Sequence, residues 1–301
     1  MNDKLKGHLA SAACYTIFGL NIVMNKDVAN SDIVSPYALF ILRALGATAL
    51  FWLVSFFTPK EKIAKKDMLK IVVASFVGLF VPQMTFLLAI TMTTTIDTSI
   101  LGSFTPIMTM FVAAIVLKEP ITWKKAGGVA LSFFGVLLLI LNSVSSHNGV
   151  EVSSSQGIIL MMLNGLSFAV YLGTFRPLIA RYNVITFMKW MFLYSTLISV
   201  PFCLTDMLHV EYGKLTGVLP WEVAYIIVFA TFIAYFLIPI GQKYLRPTIV
   251  SLYSYLQPII AVLISICIGL DKLSWEKVVS IICVFAGVWI VNGSKARNQK
   301  S

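Results

Sequence analysis

The amino-acid sequence predicts an all-α integral membrane protein, with ten transmembrane helices arranged as two inverted five-helix repeats. Three observations carry that expectation. Of 301 residues, 58% are apolar and only 12% are charged, against about 45–50% and about 25% in average soluble domains. Ten apolar runs reach membrane-spanning length, and the chain resembles itself at a fixed shift. The composition excludes an ordinary soluble globule. With 13% aromatic residues it also excludes a disordered chain, which needs low hydrophobicity and high charge to stay unpacked.

A hydrocarbon core of about 30 Å takes roughly 20 mostly apolar residues per helix. In the first half such runs cover residues 8–26, 34–57, 69–91, 97–117 and 123–142; in the second they cover 156–175, 184–205, 221–242, 248–270 and 275–293. The first run follows Lys4 and Lys6, but it continues past a signal-peptide core and shows no clear A-x-A cleavage site, so it reads as a span.

Lys and Arg accumulate in cytoplasmic connectors. With the N-terminus inside, seventeen of the 23 cations fall on the cytoplasmic side, among them Lys60, Lys62, Lys65, Lys66, Lys118, Lys124 and Lys125. Only Lys26, Lys214, Lys272 and Lys277 fall outside, and Arg43 and Lys189 lie within spans. Both termini are therefore expected in the cytoplasm. Topology accounts for the net charge of +10 without a nucleic-acid partner.

A shift of 152 residues aligns TSILGSFTPIMTMF with VSLYSYLQPIIAVL, and EPITWKKAGGVALSFFGV with DKLSWEKVVSIICVFAGV, with no gap. Pro106, Trp123 and Gly135 then meet Pro258, Trp275 and Gly287. The division this predicts is a first repeat over 1–145 and a second over 150–301. Because each holds an odd number of spans, the second enters the membrane in the opposite sense. Two antiparallel copies of one design supply the two related conformations that alternating access requires.

Polar groups inside an apolar span are either helix-packing glue or part of a site. On the fourth run Thr95, Ser99, Ser103 and Pro106 share a helical face, and on the ninth Pro247, Ser251, Tyr255 and Pro258 do the same. The shift pairs Gln83 with Tyr235, and a shift of 150 pairs Phe18 with Phe168 and Asn21 with Tyr171. Asn164 and Gln257 are the other deep amides. Arg43 lies about nine residues, some 13 Å at about 1.5 Å each, below the outer end of its run. Two readings of it stand: it attracts a carboxylate on the substrate, or it anchors structure through carbonyls and hydroxyls. Lys189 is near enough to the cytoplasmic end to snorkel.

No carboxylate falls near the midplane. Asp97 starts the fourth run, where an N-cap role is natural. Cys14, Cys203, Cys267 and Cys283 lie in apolar runs without CxxC spacing, and His8, His147 and His209 lack metal-ligand pairing. Neither a metal nor a cofactor is expected. An embedded enzyme would need a nucleophile with a base, or a metal cluster, at depth, and the spans hold Ser and Thr without an embedded His or acidic partner.

These residues and motifs are similar to those of the ten-helix, EamA-type members of the drug/metabolite transporter superfamily, over nearly the whole chain. FGLNIVMNK followed by PYALFILRALGATAL resembles the motif of that family's first two helices, with Arg43 at its arginine position. The two aligned repeat segments resemble its paired repeat motifs. The resemblance implies a secondary carrier of amino acids or other small metabolites, with a central cavity lined by helices one, three, four, six, eight and nine. Asn21, Gln83, Ser103, Phe168, Tyr235 and Tyr255 fall on those helices. The sequence departs from the pattern at Gln257, where an acid is frequent, and at Asp271, where Glu is usual. Glu119 matches and reads as an anchor for the helix after it.

The expected function is a small-metabolite transporter in the cell (inner) membrane, acting as an exporter by alternating access. Its substrate-binding residues are expected among Asn21, Arg43, Gln83, Ser99, Ser103, Asn164, Phe168, Tyr171, Tyr235, Ser251, Tyr255 and Gln257. A quaternary-ammonium or multidrug exporter on the same fold is the alternative, because aromatic faces bind cations without a carboxylate; Arg43 is an awkward neighbour for that cargo.

Overall fold

The computed structural model describes residues 2–93, 98, 101–144, 154–267 and 274–294. Among these, all regular secondary structure is helical. The long helices are α1 (Asp3–Asn30), α2 (Pro36–Ser55), α3 (Lys65–Ile90), α4 (Thr105–Val116), α5 (Trp123–Val144), α6 (Ser155–Thr174), α7 (Val184–Leu208), α8 (Leu219–Tyr244) and α10 (Trp275–Asn292). The remaining one, α9, joins Pro247–Leu252 to Leu256–Cys267 through a 3₁₀ turn at Tyr253–Tyr255.

Helix starts follow from local chemistry. Asn2, Ser35, Ser154 and Asn183 cap α1, α2, α6 and α7, their side chains accepting from backbone N–H groups of the first turn. Pro36 and Pro247 occupy the first turns of α2 and α9, where a missing N–H costs nothing. After α4, Lys118 takes a left-handed conformation (φ 52°), which turns the chain back so that Glu119 reaches Lys125.

Helical structure falls within each of the ten apolar runs. Seven helices, α1, α2, α3, α6, α7, α8 and α10, are long and apolar enough over the described residues to cross a membrane. The count of ten also rests on α4, α5 and α9, of which α5 and α9 end against residues outside the description. Thr95, Asp97, Ser99 and Asp271 lie outside it too.

The four most extensive helix pairings are antiparallel, and each joins the two halves of the chain. In α5 against α10, a Cβ on Gly128 would stand 2.7 Å from the Gly287 carbonyl, and one on Gly135 2.7 Å from the Ser280 carbonyl. Between them the Ser132 hydroxyl donates to the Val284 carbonyl at 3.1 Å. Rising numbers on one helix meet falling numbers on the other, and Ser132 and Val284 are themselves related by the repeat shift. In α2 against α7, Ser35 meets Asp206, Thr48 meets Thr196 and Trp52 meets Trp190, again antiparallel. α1 lies on α8, with Ser11 against Gly241 and Phe18 against Tyr235. Likewise α3 lies on α6, with Val77 beside Ser167 and Pro82 beside Asn164.

Two irregularities repeat at the same shift. α3 widens into a π turn over Phe76–Phe80, and α8 does so over Val228–Ile233. In α3 that turn brings Gly78 against the Tyr171 ring, in the space a Cβ would occupy. The winding also changes at Ser103 and Phe104, just before Pro106, and at Tyr253–Tyr255, just before Pro258.

Candidate functional site

A cavity of about 140 Å³ lies where α1, α2, α3, α6, α8 and α9 meet the residues leading into α4. Eight of the residues expected to bind substrate line it: Asn21, Arg43, Gln83, Ser103, Asn164, Phe168, Tyr235 and Gln257. They come from both halves of the chain. Among the described residues, no acidic side chain lines the wall.

Arg43 is 3% exposed. Its Nε donates to the Thr231 hydroxyl at 2.9 Å, and that hydroxyl donates in turn to the Ile226 carbonyl at 2.7 Å. Thr231 sits in the π turn of α8 and is fully buried. The guanidinium Nη1 is buried with no partner among the described residues. One edge of the guanidinium is thus held by a hydroxyl, as the anchoring reading expects, and one nitrogen is without a partner among the described residues.

Three further wall residues carry a buried polar atom that has no partner among the described residues: the Tyr15 hydroxyl, Asn21 Oδ1 and Ser254 Oγ. Buried polar groups are normally satisfied, and four such unpartnered atoms belong to residues of this wall. Another polar wall group is engaged. Asn164 Nδ2 donates to the Pro82 carbonyl at 2.6 Å. The aromatic part of the wall is a chain of edge contacts, Tyr15 to Phe18 at 5.8 Å and Phe18 to Tyr235 at 5.7 Å.

Three expected residues are placed elsewhere. Tyr171 packs against Gly78, the Ser251 hydroxyl returns to the Thr248 carbonyl at 3.0 Å, and Tyr255 is fully buried away from the cavity. The correction on α9 has a geometric cause. A 3₁₀ turn winds at 3.0 residues per turn rather than 3.6, which over three residues rotates the following face by about 60°. Ser254 reaches the cavity in place of Ser251 and Tyr255, while Gln257 and Pro258, both singled out in the sequence, line it too.

Thr98, Gly102, Thr105, Met161 and Ser254 also line the cavity and were not expected there. The repeat held the signal for some of them: Thr105 is the mate of Gln257, and Gly102 that of Ser254. Lys189, expected to snorkel, lies over the Trp52 ring at 5.0 Å. Glu119 accepts from Lys125 Nζ at 2.8 Å in a pair 9% and 1% exposed.

On the side of the cavity toward the N-terminal end of α1, the halves touch directly. Ser11 meets Gly241 and Tyr182 donates to Asp67 at 2.9 Å, while within the second half Arg176 Nε donates to the Gln242 carbonyl at 2.9 Å. Burial lowers the Arg176 pKa from its ordinary value, and its place at the C-terminal end of α8 suits a cation.

Fold and cavity together define a multi-pass helical membrane protein with a solute-sized chamber between its halves. The chain belongs to the EamA-like transporter family, which it matches over residues 5–141 and 155–293. It is 25% identical to the uncharacterized transporter YetK of Bacillus subtilis (strain 168), over 96% of this chain and 88% of that one. An uncharacterized transporter of Archaeoglobus fulgidus is 24% identical over 95% and 99% of the two chains. Protein PecM of Dickeya dadantii (strain 3937) is 26% identical over 64% and 63%. A solved crystal structure superposes with a TM-score of 0.76 at 15% identity, covering 96% of this chain and 95% of that one; at such identity the likeness concerns the fold alone. The family and these transporter-named relatives place the chain among membrane transporters rather than enzymes.

Proposed function

We propose that the protein is a secondary transporter of small metabolites, amino acids or related compounds, which exports them across the cell (inner) membrane by alternating access. In this reading ten helices form two inverted five-helix repeats, over 1–145 and 150–301, with both termini in the cytoplasm. The antiparallel self-pairing of α5 with α10 supports the inversion, as do the matched π turns. The contacts at the N-terminal end of α1 then form the cytoplasmic seal, and the cavity belongs to an outward-facing conformation.

One observation carries the substrate class: a buried guanidinium nitrogen, unpartnered among the described residues, on the wall of a cavity that no described acid lines. An uncompensated cation in a low-dielectric chamber attracts a carboxylate. Purified protein in liposomes is expected to move a labelled amino acid or related carboxylate down its gradient. Inert vesicles across a broad metabolite panel would refute the proposal.

The Tyr15, Phe18 and Tyr235 edge contacts favour a second reading, an exporter of quaternary-ammonium compounds held by aromatic faces. Competition by hydrophobic cations, with no effect of amino acids, would select it. The charge on Arg43 opposes it.

A further inference from the structure

Thr231 lies outside every motif that singles out the cavity, yet it makes the hydrogen bond that fixes Arg43. Three features give that bond a consequence for selectivity. The acceptor is neutral, so it orients the guanidinium without offsetting its charge. It is rigid, because the Thr231 hydroxyl also donates to the Ile226 carbonyl at 2.7 Å, five residues back across the π turn. It engages Nε, which leaves Nη1 without a partner among the described residues. A carboxylate in the same place would form an ion pair and cancel the charge the cavity presents.

We propose that Thr231 is a specificity-determining positioning residue: by holding Arg43 through an uncharged oxygen, it makes the cavity select solutes that carry a carboxylate over their uncharged counterparts. The inference rests on the transporter reading above and adds to it the residue that sets charge preference. The π turn has a part in it, since it breaks the regular winding of α8 where Thr231 sits.

The test uses detergent-purified full-length protein and its melting temperature, which rises when a ligand prefers the folded state. The probes are amino acids, each paired with its carboxamide, which differs by loss of the carboxylate. For wild type, one or more acids are expected to raise the melting temperature while their amides do not. Thr231→Val keeps the shape of the side chain but removes the acceptor; its half-saturating concentration for the acid is expected to rise by about tenfold or more, with the amide response unchanged. Thr231→Ser restores the oxygen and is expected to restore the preference. Thr231→Asp pairs the guanidinium and is expected to abolish it while the unliganded protein remains folded.

A purely structural role for Thr231 would lower the melting temperature of the unliganded variants without altering the acid-to-amide ratio. Thr231→Val binding the acid as wild type does would overturn this inference and leave the transporter reading standing. Wild type showing no preference for any acid over its amide would overturn both.

Discussion

Arg43 shows how one side chain can be costly for the fold and useful for the site. A cation at the centre of a membrane helix is disfavoured by about 2.5–3.5 kcal/mol on insertion scales, and the Thr231 hydroxyl meets only part of its hydrogen-bonding capacity. Arg43→Gln is expected to reduce transport of carboxylate-bearing solutes by at least about tenfold, with the amount of protein in the membrane little changed; flux in proteoliposomes normalised to reconstituted protein checks this. A second residue-scale prediction concerns the buried pair of Glu119 and Lys125. Removing one partner of a buried ion pair strands the other charge, at a cost of about 3–5 kcal/mol. Lys125→Met is therefore expected to lower the melting temperature sharply, and adding Glu119→Gln to recover much of the loss.

At the scale of elements, the long apolar helices and their order were legible because composition and run length decide them directly. The deep residues of α3, α6 and α8 were legible as well: Gln83, Asn164 and Tyr235 are polar or amphipathic groups in otherwise apolar stretches. The facing of α9 was legible in part: Gln257 and Pro258 line the cavity, whereas extrapolation through Ser251 and Tyr255 assumed one uniform winding and missed the tightened turn at Tyr253–Tyr255. Thr231 was hidden for a related reason, since threonine in a helix usually bonds its own backbone and nothing in the sequence announces a π turn. Helix contacts made through glycine carry their own prediction. Gly135 stands so close to the Ser280 carbonyl that Gly135→Leu must force α5 and α10 apart. Overpacking of this kind costs about 1–3 kcal/mol, which thermal unfolding of the purified variant would register.

For the whole molecule, two predictions concern how the halves are related. Lys124 and Glu276 are exposed and stand at equivalent starts of α5 and α10. In a background lacking other cysteines, Lys124→Cys and Glu276→Cys are expected to react with an impermeant thiol reagent from opposite sides of the membrane; reaction from one side alone would dismiss the inverted arrangement. The contact between α1 and α8 offers a way to hold the protein still. A Cβ built on Gly241 lies 3.7 Å from that of Ser11, inside the span of about 3.5–4.5 Å that a disulfide bridges. Ser11→Cys with Gly241→Cys is expected to halt transport on oxidation and to recover it with reductant, as the proposed alternating movement of the halves requires.

The absence of an acidic group among the described residues around Arg43 also has an electrical consequence. For a crossing coupled to no other ion, the accompanying current equals the charge on the cargo. A potential of about 100 mV acts on a singly charged anion with about 2.3 kcal/mol and on a zwitterion with none. Flux measured at clamped voltage would therefore count the cargo's charge before its identity is known.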